Sequence, residues 1–227
     1  MGLVNMRRGS GRTGIVILNR RQVLCQIGAG SLAVGALAAL PPHGAQAADT
    51  VDVTELMKPG PLGEKQLGDP KATNVVIEYA SLTCSHCKAF HDTTWKPFRQ
   101  KYVDTNRINF IFRDFPLDPL ATAGIMLCHA APNNKFFPMV DLLFDHQEKW
   151  AFVDDPVSAL LGLAKQVGFT QGTFELTLKN QALLDGVNAV KDRGSKVFGV
   201  DATPTFFING ARNAGALSIE ELDKLLA

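Results

Sequence analysis

An excess of positive charge is missing from most of this chain, and so is any internal repeat or low-complexity segment. Five of the 23 basic residues (Arg7, Arg8, Arg12, Arg20, Arg21) fall in residues 1–47, which contain no acid. Residues 48–227 therefore carry 18 basic against 22 acidic side chains, a net charge of −4. That leaves no electrostatic case for binding nucleic acid. Strongly apolar runs are scarce as well: the stretch from Val23 to Leu40 is only mildly apolar, barely long enough to span a bilayer. Cysteine is sparse, with four in all at positions 25, 84, 87 and 128. No second C-x-x-C or paired histidine completes a structural zinc site. What is present is a globular composition: 46% hydrophobic residues and a mean hydropathy of +0.04 exclude a disordered chain. A length of 227 suits one domain, or one domain carrying an insertion.

The acid-free N-terminus reads as a targeting segment. Arg20-Arg21 precede the Gly/Ala-rich run from Val23 to Leu40, and Ala45-Gln46-Ala47 supplies small residues at cleavage positions. A secretory signal peptide over residues 1–47, cleaved near Ala47–Ala48, is expected. The arginine pair followed by Gln22-Val23-Leu24 resembles a twin-arginine signal, with an ordinary secretory signal or a retained anchor as alternatives. Cys25 would leave with the signal, so the exported chain keeps Cys84, Cys87 and Cys128 in a compartment where disulfides persist.

Beyond it, residues 48–73 form a loop-rich arm with one edge strand around Glu64–Leu67. Asn74–Ala80 is a buried β-branched strand. A helix follows from Cys84 to about Val103, with a kink expected at Pro97, then a strand over Arg107–Phe112 and a turn at Arg113-Asp114-Phe115-Pro116. Helices are expected near Ala121–Ala131, Phe136–Gln147, Pro156–Val167, Gln171–Lys179 and Gln181–Val197. A strand at Pro204–Asn209, a hairpin at Asn209-Gly210 and a last helix capped by Ser218 with Glu221 close the chain. The order predicts an α/β core, in two parts at 74–116 and 199–227, interrupted by helices over 117–198.

The organising stretch is Thr83-Cys84-Ser85-His86-Cys87-Lys88-Ala89-Phe90, which opens a helix after a buried strand. Unpaired N–H groups and the dipole at a helix N-terminus favour thiolate over thiol. The second cysteine, one turn on, can attack a mixed disulfide formed by the first. A disulfide between residues three apart closes a tiny loop and removes little chain entropy, so it makes a poor staple. Glu78 lies six residues before Cys84 on a strand that should be buried, where a carboxylate titrates high and can accept the Cys87 proton. Cys128 has no evident partner and reads as a buried, inert thiol.

Val76-Ile77-Glu78-Tyr79 leading into Cys84-Ser85-His86-Cys87, then Phe110 to Leu117, then Gly199-Val200-Asp201-Ala202-Thr203-Pro204-Thr205-Phe206-Phe207-Ile208-Asn209-Gly210 together resemble the DsbA-like family, over nearly all of residues 62–227. The resemblance implies an α/β thioredoxin-like fold with an inserted helical domain, and a periplasmic dithiol oxidase that needs no cofactor or metal. It implies Cys84 as nucleophile, Cys87 as resolving thiol and His86 as a stabiliser of the Cys84 thiolate. Thr203-Pro204 would be a cis-proline loop that receives extended substrate. Exported polypeptides would be the substrates of a monomer, and a DsbB-like membrane quinone reductase would be its reoxidising partner. Ser85 stands where the best-known members often carry proline, and Thr203 where they often carry valine; both positions tune redox poise. Two other readings stay open. One is a disulfide isomerase or reductase of the DsbC/DsbG or ScsC type. The other is a metal-binding module using Cys84, Cys87 and His91, whose C-x2-C-x3-H spacing shares one helix face.

Overall fold

A computed structural model of the chain describes residues 50–227. The expected signal peptide and Cys25 lie outside the described residues. Strand β2 (Asn74–Ala80) forms the centre of a five-stranded sheet. Its run of Val75, Val76 and Ile77 suits a pleated surface buried on both faces. It pairs in parallel with β3 (Ile108–Asp114) and antiparallel with β4 (Thr205–Ile208). The edges are β1 (Lys65–Gly68), antiparallel to β3, and β5 (Ala211–Ala214), antiparallel to β4, giving the order β1-β3-β2-β4-β5. The β4–β5 hairpin turns through Asn209 and Gly210 at φ 51° and 89°, the left-handed pair that a two-residue turn of this hand requires.

Strand alternation sorts the core into two layers. Ile77, Tyr79, Ile111 and Phe207 face one side and pack with Leu56, Phe198 and Val200. Val76, Ala80, Phe110, Phe112 and Phe206 face the other and join the larger apolar cluster containing Cys84, Cys87 and the inserted helices. Glu78 shares this second face by parity, and its register partners across the sheet are Phe112 and Phe206. The interior therefore surrounds a carboxyl with rings.

A short helix α1 (Val53–Leu56), capped by Asp52, lies in the arm that was expected to be loop. Helix α2 starts as Ser85–Phe90 and continues through π-wound turns, His91–Trp95 and Arg99–Val103, about a short α segment, Lys96–Phe98. Pro97 lacks the N–H an α-helix needs; the helical run is π-wound on either side of it, the form the expected disturbance takes. Between β3 and β4 come α3 (Pro119–Ala130), α4 (Phe136–Asp145), α5 (Gln147–Trp150), α6 (Pro156–Val167), α7 (Gln171–Leu178) and α8 (Gln181–Phe198). The side chains of Asp118, Asp155, Thr170 and Asn180 each cap the start of one of these helices. A capping box of Ser218 and Glu221 opens α9 (Ile219–Leu225), as the sequence predicts.

One expectation is corrected. Arg113 and Asp114, read as the start of a turn, are the last two residues of β3, paired with Tyr79 and Ala80. Their charge is matched inside the molecule. Arg113 donates to Glu64, to the Tyr79 hydroxyl and to the Leu56 carbonyl, and Asp114 meets His129 Nε2 at 2.7 Å. These partners come from distant sequence, so composition alone makes the pair look like surface.

Candidate active site

The loop from β2 to α2 is fastened before any chemistry is considered. Thr83 Oγ1 donates to Asp118 Oδ2 at 2.5 Å, and Ser81 accepts the N–H of Leu117. From the insertion, the buried amide of Gln147 donates to the carbonyls of Leu82 (2.8 Å) and Cys84 (3.1 Å). Gln147 is a site residue that sequence reasoning placed only in the helical insertion. Nothing local marks a glutamine on a short helix sixty residues away as a partner of this loop.

Cys84 is the N-cap of α2 with extended backbone (φ −79°, ψ 123°), so its sulfur sits ahead of the first turn. Both cysteines are buried free thiols. Several groups favour a negative charge on Cys84 and bring its pKa down to about 5. The largest contribution is the hydrogen bond from the Cys87 thiol; burial opposes it. The Thr203 side chain and the backbone N–H groups of Cys87 and His86 add to it. The Thr203 hydroxyl is buried and meets no partner at hydrogen-bond geometry among the described residues, while the Cys84 thiol donates to the Thr203 carbonyl at 3.2 Å. Thr203-Pro204 is cis, as the family resemblance implies, and forms the wall opposite α2.

Cys87 is the converse. Its side chain is fully buried, and that desolvation, followed by its bond to Cys84 and the charge of Glu78, pushes its pKa well above the ordinary thiol value. Glu78 is 4% exposed, and burial, with the Cys84 charge as a lesser cause, raises its pKa to about 8. The two groups line one small cavity with Phe90, His91, Trp95 and Phe112. The site thus holds an acidic outer thiol, a reluctant inner thiol and a carboxyl that titrates near neutrality beside the inner one.

His86 lies between the two cysteines on the first turn of α2. Its side chain is exposed and makes no hydrogen bond among the described residues, and its backbone N–H is one of the groups that lower the Cys84 pKa. His91 does not turn to a metal-like cluster: its Nε2 lies 3.4 Å from Asp145 and 4.0 Å from Asp141. Among the described residues no three His, Cys, Asp or Glu side chains are grouped to hold a metal ion. Cys128 is buried in α3, and burial raises its pKa well above the ordinary value. No helix among the described residues is long and apolar enough to cross a membrane.

A family model described as thioredoxin matches residues 62–227. A provisionally named protein-disulfide oxidoreductase of Rickettsia typhi is 28% identical over 151 residues, covering 64% of this chain and 54% of that protein. The chain therefore spans about half the length of the curated relatives it matches. Among solved structures, alpha-DsbA1 of Wolbachia pipientis is 30% identical with a TM-score of 0.70, covering 76% of this chain and 92% of that one. BdbD of Bacillus subtilis, at 17% identity and a TM-score of 0.63, shares the fold.

Proposed function

Because the chain belongs to the thioredoxin family, among its DsbA-like members, we propose that it is an exported protein-disulfide oxidoreductase whose Cys84–Cys87 disulfide is donated to other exported proteins. The observation that carries this reading is the asymmetry of the thiol pair: Cys84 ionises near pH 5 while Cys87 is held protonated beside Glu78. A stabilised thiolate stabilises the reduced form, and a protein whose reduced form is stabilised is an oxidant.

In the forward direction a substrate thiolate attacks Cys84 of the disulfide. The Cys84–Cys87 bond breaks, Cys87 leaves with the electron pair, and Glu78 returns a proton to it. A second substrate thiolate then attacks the substrate sulfur of the mixed disulfide and expels Cys84 as its stable thiolate. Two electrons pass from the substrate dithiol to the cysteine pair. The cis Thr203-Pro204 wall receives the extended substrate beside Cys84. Reoxidation reverses the chemistry on a partner disulfide, for which a DsbB-like membrane quinone reductase is the partner the family suggests. The periplasm is the proposed location, residues 1–47 the export signal, residues 117–198 the inserted domain, and a monomer the working form.

Titration against glutathione tests this. The expected potential is more oxidising than the roughly −270 mV of cytosolic thioredoxins; a value at or below that marks a reductase. Cys87→Ser should trap client proteins on Cys84, and Cys84→Ser should trap none. Strong unscrambling of a misoxidised protein by a stable oligomer would favour the isomerase reading instead.

A further inference from the structure

Among the described residues three buried side-chain polar atoms lack a hydrogen-bond partner: Asn109 Oδ1, Arg212 Nε and Thr203 Oγ1. A buried polar group left unpaired costs stability, so each calls for a reason. Asn109 and Arg212 lie on β3 and β5, whereas Thr203 stands in the cis wall opposite α2. Thr203 is 7% exposed, and its carbonyl accepts from the Cys84 thiol at 3.2 Å. The hydroxyl of Thr205, two residues on, is by contrast spent on the Ala202 carbonyl at 2.8 Å. Only one of the three unpaired atoms therefore belongs to a residue in contact with a reactive sulfur.

The pairing changes once Cys84 ionises. A thiolate cannot donate, so the Thr203 carbonyl loses its partner while the hydroxyl of the same residue still has none. With a pKa of about 5, Cys84 is roughly 99% thiolate at pH 7. The reduced site thus presents a nucleophilic sulfur with a spare donor and a spare acceptor from one residue. A hydroperoxide is the complement of that set. One oxygen takes the attack, an O–H is available to donate, and the far oxygen gathers negative charge as the O–O bond breaks, where a hydrogen-bond donor has most effect. Cys84 is 8% exposed, an opening that suits a small reagent. Cys87, whose thiol already bonds to Cys84, stands ready as a second thiol.

We propose that the reduced Cys84–Cys87 pair is also a thiol peroxidase, in which Cys84 attacks a small hydroperoxide held by the hydroxyl and carbonyl of Thr203 and Cys87 closes the disulfide. In the first step an S–O bond forms on Cys84 as the O–O bond breaks. For hydrogen peroxide the far oxygen leaves as hydroxide with the bonding pair, stabilised by the Thr203 hydroxyl, and Cys84 becomes a sulfenic acid. In the second step the Cys87 sulfur attacks the Cys84 sulfur. The S–O bond breaks, the departing hydroxide takes the Cys87 proton, and water leaves. One thiolate, one thiol and one hydrogen peroxide thus give one disulfide, one water and one hydroxide. The two sulfurs supply two electrons, and the peroxide oxygens accept them. The product is the same disulfide that the pair donates to clients, so a hydroperoxide recharges the protein without a disulfide partner.

This activity rests on the redox reading of the pair, and two reagents separate the claims. Reduced protein is mixed at pH 8 with an aromatic chromogenic disulfide (dithiobis-nitrobenzoate) or with hydrogen peroxide. Release of two coloured thiolates by the first reagent shows that Cys87 resolves Cys84; release of one alone sinks the redox reading and the peroxidase with it. Hydrogen peroxide is expected to oxidise Cys84 about a hundredfold faster, per thiolate, than it oxidises glutathione. The product should be lighter than the reduced protein by two hydrogens, the mass of a closed disulfide. Cys87→Ser should stop at the sulfenic acid and take up a cyclic 1,3-dione at Cys84. Thr203→Val should slow the peroxide reaction about tenfold more than the aromatic-disulfide reaction, both per thiolate, and Thr203→Ser should restore it. A wild-type peroxide rate no greater than that of glutathione thiolate, with two thiolates still released by the aromatic disulfide, overturns the peroxidase alone. So does a Thr203→Val variant that slows both reactions equally, the mark of a residue that only shapes the wall.

Discussion

Glu78 weakens the fold it sits in, and the sign of that effect can be followed with pH. Its pKa is about 8 in the folded protein against 4.5 for an ordinary glutamate. The unfolded chain therefore loses its proton first as pH rises. The penalty is absent below about pH 4.5, grows up to pH 8 and is constant above it. At pH 7 the linkage amounts to about 3 kcal/mol. Glu78→Gln is expected to raise the urea-unfolding free energy by up to about that amount at pH 7, with little change at pH 4. The same variant should resolve mixed disulfides slowly, because Cys87 loses its proton acceptor. A gain in stability that does not depend on pH would refute the assignment. Thr203 offers a second residue-level test. Its hydroxyl helps to hold Cys84 near pH 5, so Thr203→Val should move the thiolate titration, followed by ultraviolet absorbance, to higher pH. Glu78, Cys84, Cys87 and Thr203 were all legible in the sequence, because each lies next to a strong local signal. Gln147 was not, since its role depends on where α5 lands. His91 was legible only as a helix-face neighbour of the cysteines; its cavity and its carboxylate partners require the fold.

Local turn chemistry decides some elements and tertiary partners decide others. The Asn209-Gly210 hairpin follows from the sequence because only residues tolerant of positive φ fit both turn positions. Gly210→Ala is expected to cost about 1–2 kcal/mol, measured by denaturant unfolding. Its φ is 89°, and a new Cβ would sit 2.5 Å from the Val53 side chain. A neutral result would mean that the turn can adopt another shape. The last two residues of β3 went the other way. Arg113 and Asp114 carry charges that propensity assigns to a turn, and they extend the strand because Glu64, Tyr79 and His129 receive them. Pro97 identifies a disturbance in α2, but only the structure gives its form as π-wound turns.

The described residues join a sheet carrying the Cys84–Cys87 loop to a set of helices inserted between β3 and β4, and Gln147 is a main tie between them. Removing its amide leaves the Leu82 carbonyl without that donor and takes one of two hydrogen bonds from the Cys84 carbonyl, which keeps the Lys88 N–H at 3.1 Å. Gln147→Ala is expected to destabilise the protein by about 1–3 kcal/mol and to slow Cys84 chemistry as the loop loosens; unfolding and thiol-reaction rates measured on the same variant check both. Chain order predicted this architecture, because strand, helix and strand give way to a helical block before the closing hairpin. What chain order does not convey is how firmly the helices are seated. Cys128 supplies a gauge for that. It sits in α3 under complete cover with its thiol held protonated, so a thiol-reactive label reaches it only when the inserted helices part from the sheet. The rate of labelling at Cys128, with Cys84 and Cys87 oxidised and silent, is a clock for that opening, already present at a single position in the described chain and needing no engineered probe.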